Sequence, residues 1–282
     1  MEKPDWLKIR VQNHPNMNEV FGLLNNLSLN TVCQEAQCPN IFECFSRKTA
    51  TFLIMGKVCT RNCTFCDVTK GTPTPLDSSE PLRISQAVFE MNLKYVVITS
   101  VTRDDLEDGG AQHFKMVIEK IKEKNKNTII EALIPDFKGN IFSLMTVCSA
   151  GAKVISHNIE TIPRLYSYVR PLADYNRSLD VLKKVKEIDK SIYTKSGLMV
   201  GLGEKKDEVK KALYDLRNVG CEIVTIGQYL SPSKKHFPVY EYVHPDVFEE
   251  YKDYAQEIGF MHVFSAPFVR SSYLAEEAIK NK

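Results

Sequence analysis

The chain has 282 residues, 43% hydrophobic and 26% charged, with a formal net charge of +2. That is ordinary globular composition with enough apolar material for a full core, and nothing in the charge balance favours nucleic acid or a membrane surface as partner. The opening residues carry no apolar h-region and no run approaches bilayer length, so a soluble, cytoplasmic protein is expected.

In chain order, short apolar runs alternate with longer amphipathic ones. The runs at 51–55, 95–100, 128–134, 154–159, 197–202 and 223–230 are rich in Val, Ile and Leu and read as buried parallel strands. Phe114, Val117, Ile118 and Ile121 follow helical spacing, as do Leu179, Leu182, Val185 and Ile188, and again Val209, Ala212, Leu213 and Leu216. Gly151, Gly220 and Gly259 each stand after a helical run and before an extended one, where a left-handed stop is expected. This rhythm predicts an α/β fold, a partial (βα)6 TIM-type barrel, with its site at the C-terminal ends of the strands. Residues 1–48 read as an N-terminal extension, 49–230 as the barrel and 231–282 as a C-terminal extension. In the last of these, Phe248, Tyr251, Ala255 and Ile258 mark a helix.

Six of the eight cysteines fall between positions 33 and 66. In a reducing compartment such crowding points to metal or redox use before disulfides. Cys59, Cys63 and Cys66 follow the first strand in a Cys-x3-Cys-x2-Cys loop. A [4Fe–4S] cluster usually takes four cysteines, so a trio leaves one iron open for a chelating ligand. Structural zinc is the alternative, but closed zinc sites want four ligands and no histidine stands nearby to complete one. Upstream, Cys33, Cys38 and Cys44 form a wider trio, which implies a second cluster with one non-cysteine ligand. Cys148 and Cys221 sit in apolar runs and read as small buried hydrophobes. Arg270-Ser271-Ser272-Tyr273 reads by itself as a polar turn, or as an N-cap before 275–279.

Several segments together carry a resemblance. They are Thr31–Cys44, Cys59–Asp67, Thr99–Gly110, His157–Thr161, Lys195–Glu204, Gly227–Ser233 and Arg270–Tyr273. On these the chain resembles the lipoyl synthase family of the radical S-adenosylmethionine superfamily, from about Thr31 onward. Lys57, where similar proteins often carry an acidic residue, and the Leu-Ala-Glu that follows Tyr273 depart from the usual pattern without removing a ligand.

The resemblance implies two [4Fe–4S] clusters. The first, on Cys59, Cys63 and Cys66, would bind S-adenosylmethionine and pass one electron to its sulfonium, breaking the S–C5′ bond to give methionine and a 5′-deoxyadenosyl radical. The second, on Cys33, Cys38 and Cys44 with Ser272 as fourth ligand, would donate sulfur. The implied reaction inserts two sulfurs, at C6 and C8, into an octanoyl chain on a lysine of a lipoyl carrier domain. A 2-oxoacid dehydrogenase E2 or a glycine cleavage H protein would carry the chain, and flavodoxin or ferredoxin would supply electrons.

Weaker expectations concern the cofactor contacts. Thr102 lies in the loop where related enzymes seat the methionine amino group; a charged surface loop is the alternative. Asn158 and Glu160 alternate to one face at a strand end and could hold adenosine or methionine polar groups; otherwise they are surface residues. Arg170 and Lys195 are candidate carboxylate or carrier contacts, or solvated bases. His14, His113, His236, His244 and His262 receive no functional role. Two rival functions stay open at this point. A biotin-synthase-like sulfur transferase would share the Cys59 trio but leave the Cys33 trio and the terminal serines without a purpose. A non-enzymatic zinc–cysteine module would contain zinc and no acid-labile sulfide.

Overall fold

The structure is a computed structural model that describes residues 2–8 and 14–279. Positions 1 and 9–13 of the expected N-terminal extension, and 280–282 of the C-terminal one, lie outside the described residues. The described chain divides into two units, one of residues 14–61 and 67–155, the other of 2–8, 62–66 and 156–279.

In the first unit, β1 (Thr51–Ile54), β2 (Tyr95–Ser100) and β3 (Ile129–Leu133) run parallel, with Thr51 opposite Val97 and Tyr95 opposite Ile129. Asn30–Thr31 pairs antiparallel to β1 on its other side. The start of β4 (Val154–Ser156) follows β3, with the Lys153 N–H donating to the Ile130 carbonyl at 2.9 Å. Its longer helices are α1 (Pro15–Asn26), α2 (Ile41–Ser46), α3 (Glu80–Glu90), α4 (Ala111–Lys124) and α5 (Ile141–Cys148). The predicted stripe of α4, Phe114, Val117, Ile118 and Ile121, is fully buried, each side chain contributing at most about 1.5–3 kcal/mol. Helix α3 was not anticipated. Leu82 and Phe89 are exposed beside the buried Ile84, Ala87 and Val88, which blurs its periodicity.

In the second unit, β5 (Tyr193–Val200), β6 (Ile223–Gln228) and β7 (His262–Ser265) run parallel, with Lys195 and His262 both in register with Ile223. Helices α6 (Tyr175–Ile188), α7 (Lys206–Asn218) and α8 (Pro245–Glu257) enclose a core that includes Leu182, Leu198, Val209, Leu213, Val224 and Phe248. Strand β5 begins four residues before the expected run and ends two before its close. Thr194, Lys195 and Ser196 are polar yet buried, which hid its start, and Gly201 turns left-handed (φ +94°) to end it.

Gly151, Gly220 and Gly259 have φ of +89°, +87° and +94°, the expected left-handed stops. The fold class is α/β, with the βα order of a partial (βα)6 TIM-type barrel; β1–β6 supply the six expected strands and β7 adds a parallel seventh. Among the described residues no helix is long and apolar enough to cross a membrane.

Candidate functional site

The Cys59 loop is prepared at the end of β1. Met55 and Gly56 both turn left-handed (φ +66° and +83°), a conformation that costs a non-glycine residue about 1–3 kcal/mol unless its surroundings hold it. Those surroundings are specific. The Met55 N–H donates to Glu80 Oε2 at 2.9 Å, Arg103 Nη1 reaches the Met55 carbonyl at 3.5 Å, and the Met55 sulfur lies over Gly110. His113 Nε2 is 2.6 Å from the same Glu80 oxygen, and both side chains are buried.

Cys59 then pairs with Lys70 in a two-residue parallel ladder, and its sulfur accepts from the amides of Arg61 and Thr102, both at 3.4 Å. Thr60 is stapled to the segment after β2: its N–H and hydroxyl both donate to the Thr102 carbonyl at 3.0 Å, and its hydroxyl accepts from the Asp104 amide. Arg61, buried, forks onto Asp104 (2.7 and 3.0 Å) and Asp136 (2.6 and 3.0 Å). Burial works against its charge, but its hydrogen bonds to the two carboxylates outweigh that and hold the guanidinium above its ordinary pKa.

Cys63 and Cys66, both half-buried, belong to the second unit. The Cys66 N–H donates to the Cys63 carbonyl at 3.4 Å. Between them Thr64 donates its amide to Val169 O (3.0 Å) and its hydroxyl to Tyr168 O (2.8 Å), and its carbonyl accepts from Phe237 N. In the same unit Arg170 Nη1 donates to the carbonyls of Asn158 (2.9 Å) and Ile159 (3.1 Å) and to the Tyr166 hydroxyl. Burial opposes the charge of Arg170, whereas Tyr166, Glu160 and the Cys63 thiolate favour it and prevail. Asn158 Nδ2 donates to Glu160 Oε1 at 3.0 Å. These two side chains therefore meet, but not by strand alternation. Strand β4 has ended at Ser156, and Glu160 is left-handed (φ +64°). Burial pushes the Glu160 carboxyl up, against the pull of Arg170, Asn158 and Arg270. Neither Arg170 nor Lys195 is a solvated base: they are 9% and 1% exposed, and Lys195 lies inside β5.

The upstream trio lies in the first unit: Cys33 on the four-residue helix Val32–Glu35, which the Thr31 hydroxyl caps at Gln34 N, Cys44 on α2, and Cys38 in the turn between the two. The Cys38 N–H donates to Cys33 O at 3.0 Å, and the Cys44 carbonyl accepts from the Thr49 amide and hydroxyl, both at 2.9 Å. The three thiols are near enough to repel one another as thiolates. Burial first, then Cys38, pushes Cys33 up to about 11; burial, then Cys33, Cys38 and Glu43, pushes Cys44 up to about 12. The Arg270–Tyr273 motif is a turn closed by Tyr273 N–H donating to Arg270 O at 2.9 Å, with Ser272 half-buried inside it. The short 3-10 helix 275–278 starts from Leu274 with no side-chain cap, so the serines do not cap it.

Cys148 and Cys221 are buried, as expected. His14 and His244 cap α1 and α8, His236 contacts Ser233, and His262 lies in β7. Sequence reading missed the fork on Asp136 and the Glu80–His113 pair. Arg61 and Asp104 stood inside quoted motifs, but their carboxylate partner lies after the next strand, and no short-range pattern joins them.

These residues fit iron–sulfur clusters. The donors are thiols, and two backbone amides already point at the Cys59 sulfur, the kind of hydrogen bond that tunes a cluster's potential. Among the described residues no three His, Cys, Asp or Glu side chains converge as they would to share one ion. Thiolates on separate irons of a cluster stand farther apart than ligands of a single zinc. Asn158 Oδ1 and Arg170 Nε are buried without a hydrogen-bond partner, so the strand end has polar capacity left for a polar cofactor.

The family model described as Radical SAM superfamily matches residues 53–216. Solved structures share the fold at low identity. Methylornithine synthase superposes with a TM-score of 0.56 at 15% identity, covering 88% of this chain and 74% of its own. SuiB of Streptococcus suis, bound to S-adenosylmethionine, gives 0.58 at 11%, covering 80% and 53%. The chain is thus a member of the radical S-adenosylmethionine superfamily. Curated relatives narrow this. The lipoyl synthase of Caldicellulosiruptor saccharolyticus is 67% identical over 99% of this chain and 98% of its own, and that of Alkaliphilus metalliredigens 56% over 99% and 96%. Within the superfamily, the chain belongs to the lipoyl synthase family.

Proposed function

We propose that this chain inserts two sulfur atoms, at C6 and C8, into an octanoyl chain carried on a lysine of a lipoyl carrier domain. The observation that carries this reading is the presence of two cysteine trios, one in the loop after β1 and one on the two short helices before it and the turn that joins them. A biotin-type sulfur transferase gives the second trio no purpose.

In this reading Cys59, Cys63 and Cys66 hold one [4Fe–4S] cluster and leave an iron for S-adenosylmethionine. Cys33, Cys38, Cys44 and Ser272 hold the other. When bound, the first supplies an electron to the sulfonium and the second supplies sulfur. Thr102 borders the methionine end of the cofactor. Asn158, Glu160 and Arg170 orient its polar groups, and Lys195 offers a buried cation to a carboxylate. Residues 1–48 then serve the sulfur-donating cluster, 49–230 the cofactor, and 231–282 contribute the serine. E2 or H-protein carriers and a flavodoxin or ferredoxin donor complete the reaction, in the cytoplasm.

Anaerobic incubation with reductant, S-adenosylmethionine and an octanoylated peptide, followed by mass spectrometry, tests the proposal. The expected product carries two added sulfurs. A protein that contains zinc and no acid-labile sulfide, or that leaves the peptide unchanged, overturns it.

A further inference from the structure

Strand β6 ends in Gly227-Gln228, and the chain after β7 returns across it. Ala266 N donates to Ile226 O at 3.2 Å, and Gln228 N donates to Pro267 O at 3.1 Å. The returning backbone presses onto Gly227 itself. A Cβ built there falls 2.0 Å from the Val269 carbonyl oxygen and 3.1 Å from Arg270 Nη1. Gly227 has no left-handed φ to justify a glycine; the close approach of another backbone is its reason. Arg270 locks the contact by folding back on its own chain, with Nη1 donating to Val269 O at 2.7 Å and to Pro267 O at 3.4 Å. The very next step is the turn Arg270–Tyr273 that holds Ser272.

We propose that Gly227 is a positioning residue for the sulfur-donating cluster: its bare face seats Val269 and Arg270 and so fixes where Ser272 is presented. This rests on the reading of Ser272 as that cluster's fourth ligand. A side chain at 227 cannot be absorbed by a rotamer change, because the atom in its way is backbone. The segment from Pro267 to Tyr273 has to lift. The field of Arg270 reaches the Glu160 carboxyl, so a displaced motif also alters the surroundings of Glu160.

The test compares Gly227→Ala, Ser272→Ala and the control Gly22→Ala, whose Cβ meets nothing within 4 Å. All are loaded anaerobically with both clusters. Three quantities are read: amide exchange at 266–273, the spectrum of the second cluster, and 5′-deoxyadenosine released per sulfur inserted. For Gly227→Ala, exchange at Ala266, whose N–H bonds across to Ile226 O, should rise at least tenfold. The spectrum should match that of Ser272→Ala, and 5′-deoxyadenosine should still form while sulfur insertion falls at least tenfold. A folded Gly227→Ala with parent-like exchange and spectrum overturns the proposal. If Gly227→Ala does not fold, Arg270→Leu removes the lock without overlap and decides by the same readouts. A Ser272→Ala protein with an unchanged second cluster instead overturns the ligand reading, while exchange at 266–273 still judges the seat.

Discussion

Arg61 Nη2 lies 2.6 Å from Asp136 Oδ1, and both side chains are almost wholly buried. This pair ties the cysteine loop to the segment after β3. Removing one partner of a buried pair typically costs about 3–5 kcal/mol, because the other charge is left unpaired. Asp104 still faces Arg61, so Asp136→Ala should sit at the low end, about 3 kcal/mol. That corresponds to a fall in Tm of roughly 6–12 °C. Anaerobic thermal melting checks it; a fall of one or two degrees would show that Asp104 alone fixes the loop.

Gly197 keeps open the place where Asn158 sits. A Cβ there would fall 2.6 Å from Thr225 Oγ1 and 3.0 Å from Asn158 Oδ1. If Asn158 orients the cofactor as proposed, Gly197→Ala should displace the Asn158 amide and weaken S-adenosylmethionine binding about tenfold, the worth of one hydrogen bond. Titration of the cluster-loaded protein measures this. Unchanged affinity would remove Asn158 from the cofactor's contacts.

Serine oxygen is a harder ligand than thiolate and suits iron–sulfur chemistry less well. If Ser272 is the fourth ligand, as proposed, its bond would be the weakest of the four and the one to give way as sulfur leaves. Ser272→Cys should keep the second cluster's iron and lower sulfur insertion at least tenfold. A variant as fast as the parent would show that ligand weakness has no part in the reaction.

Burial pushes the Cys221 thiol from near 9 up to about 12. In the unfolded chain this thiol ionises near 9; in the folded chain it keeps its proton. Between those values the unfolded state binds fewer protons, so stability falls as pH rises. By pH 10.5 the loss is about 2 kcal/mol relative to pH values below 9. Cys221→Ala should lose correspondingly less than the parent between pH 8 and 10.5. Equal losses in melting experiments would mean that Cys221 ionises normally in the folded protein.

The parts legible in the sequence were those whose signal is local. The α4 stripe, the three glycine stops and the burial of Cys148 and Cys221 each rest on a short window. Helix α3 and the start of β5 were hidden because exposed Leu82 and Phe89, and buried Thr194, Lys195 and Ser196, reverse the usual match of polarity to burial. Asp136, Glu80 and the Val269–Gly227 contact were illegible for a different reason. Each acts on a residue tens of positions away, and only the folded backbone brings it there.

Met55 carries a further consequence. Its thioether is 4% exposed and rests where even a methyl on Gly110 would come within 2.2 Å of the sulfur. A sulfoxide needs room for one more oxygen and a polar neighbour to receive it. On the Gly110 side that room does not exist, so an oxygen added on that face would have to push Gly110 away and disturb the native bend ahead of the thiolate loop.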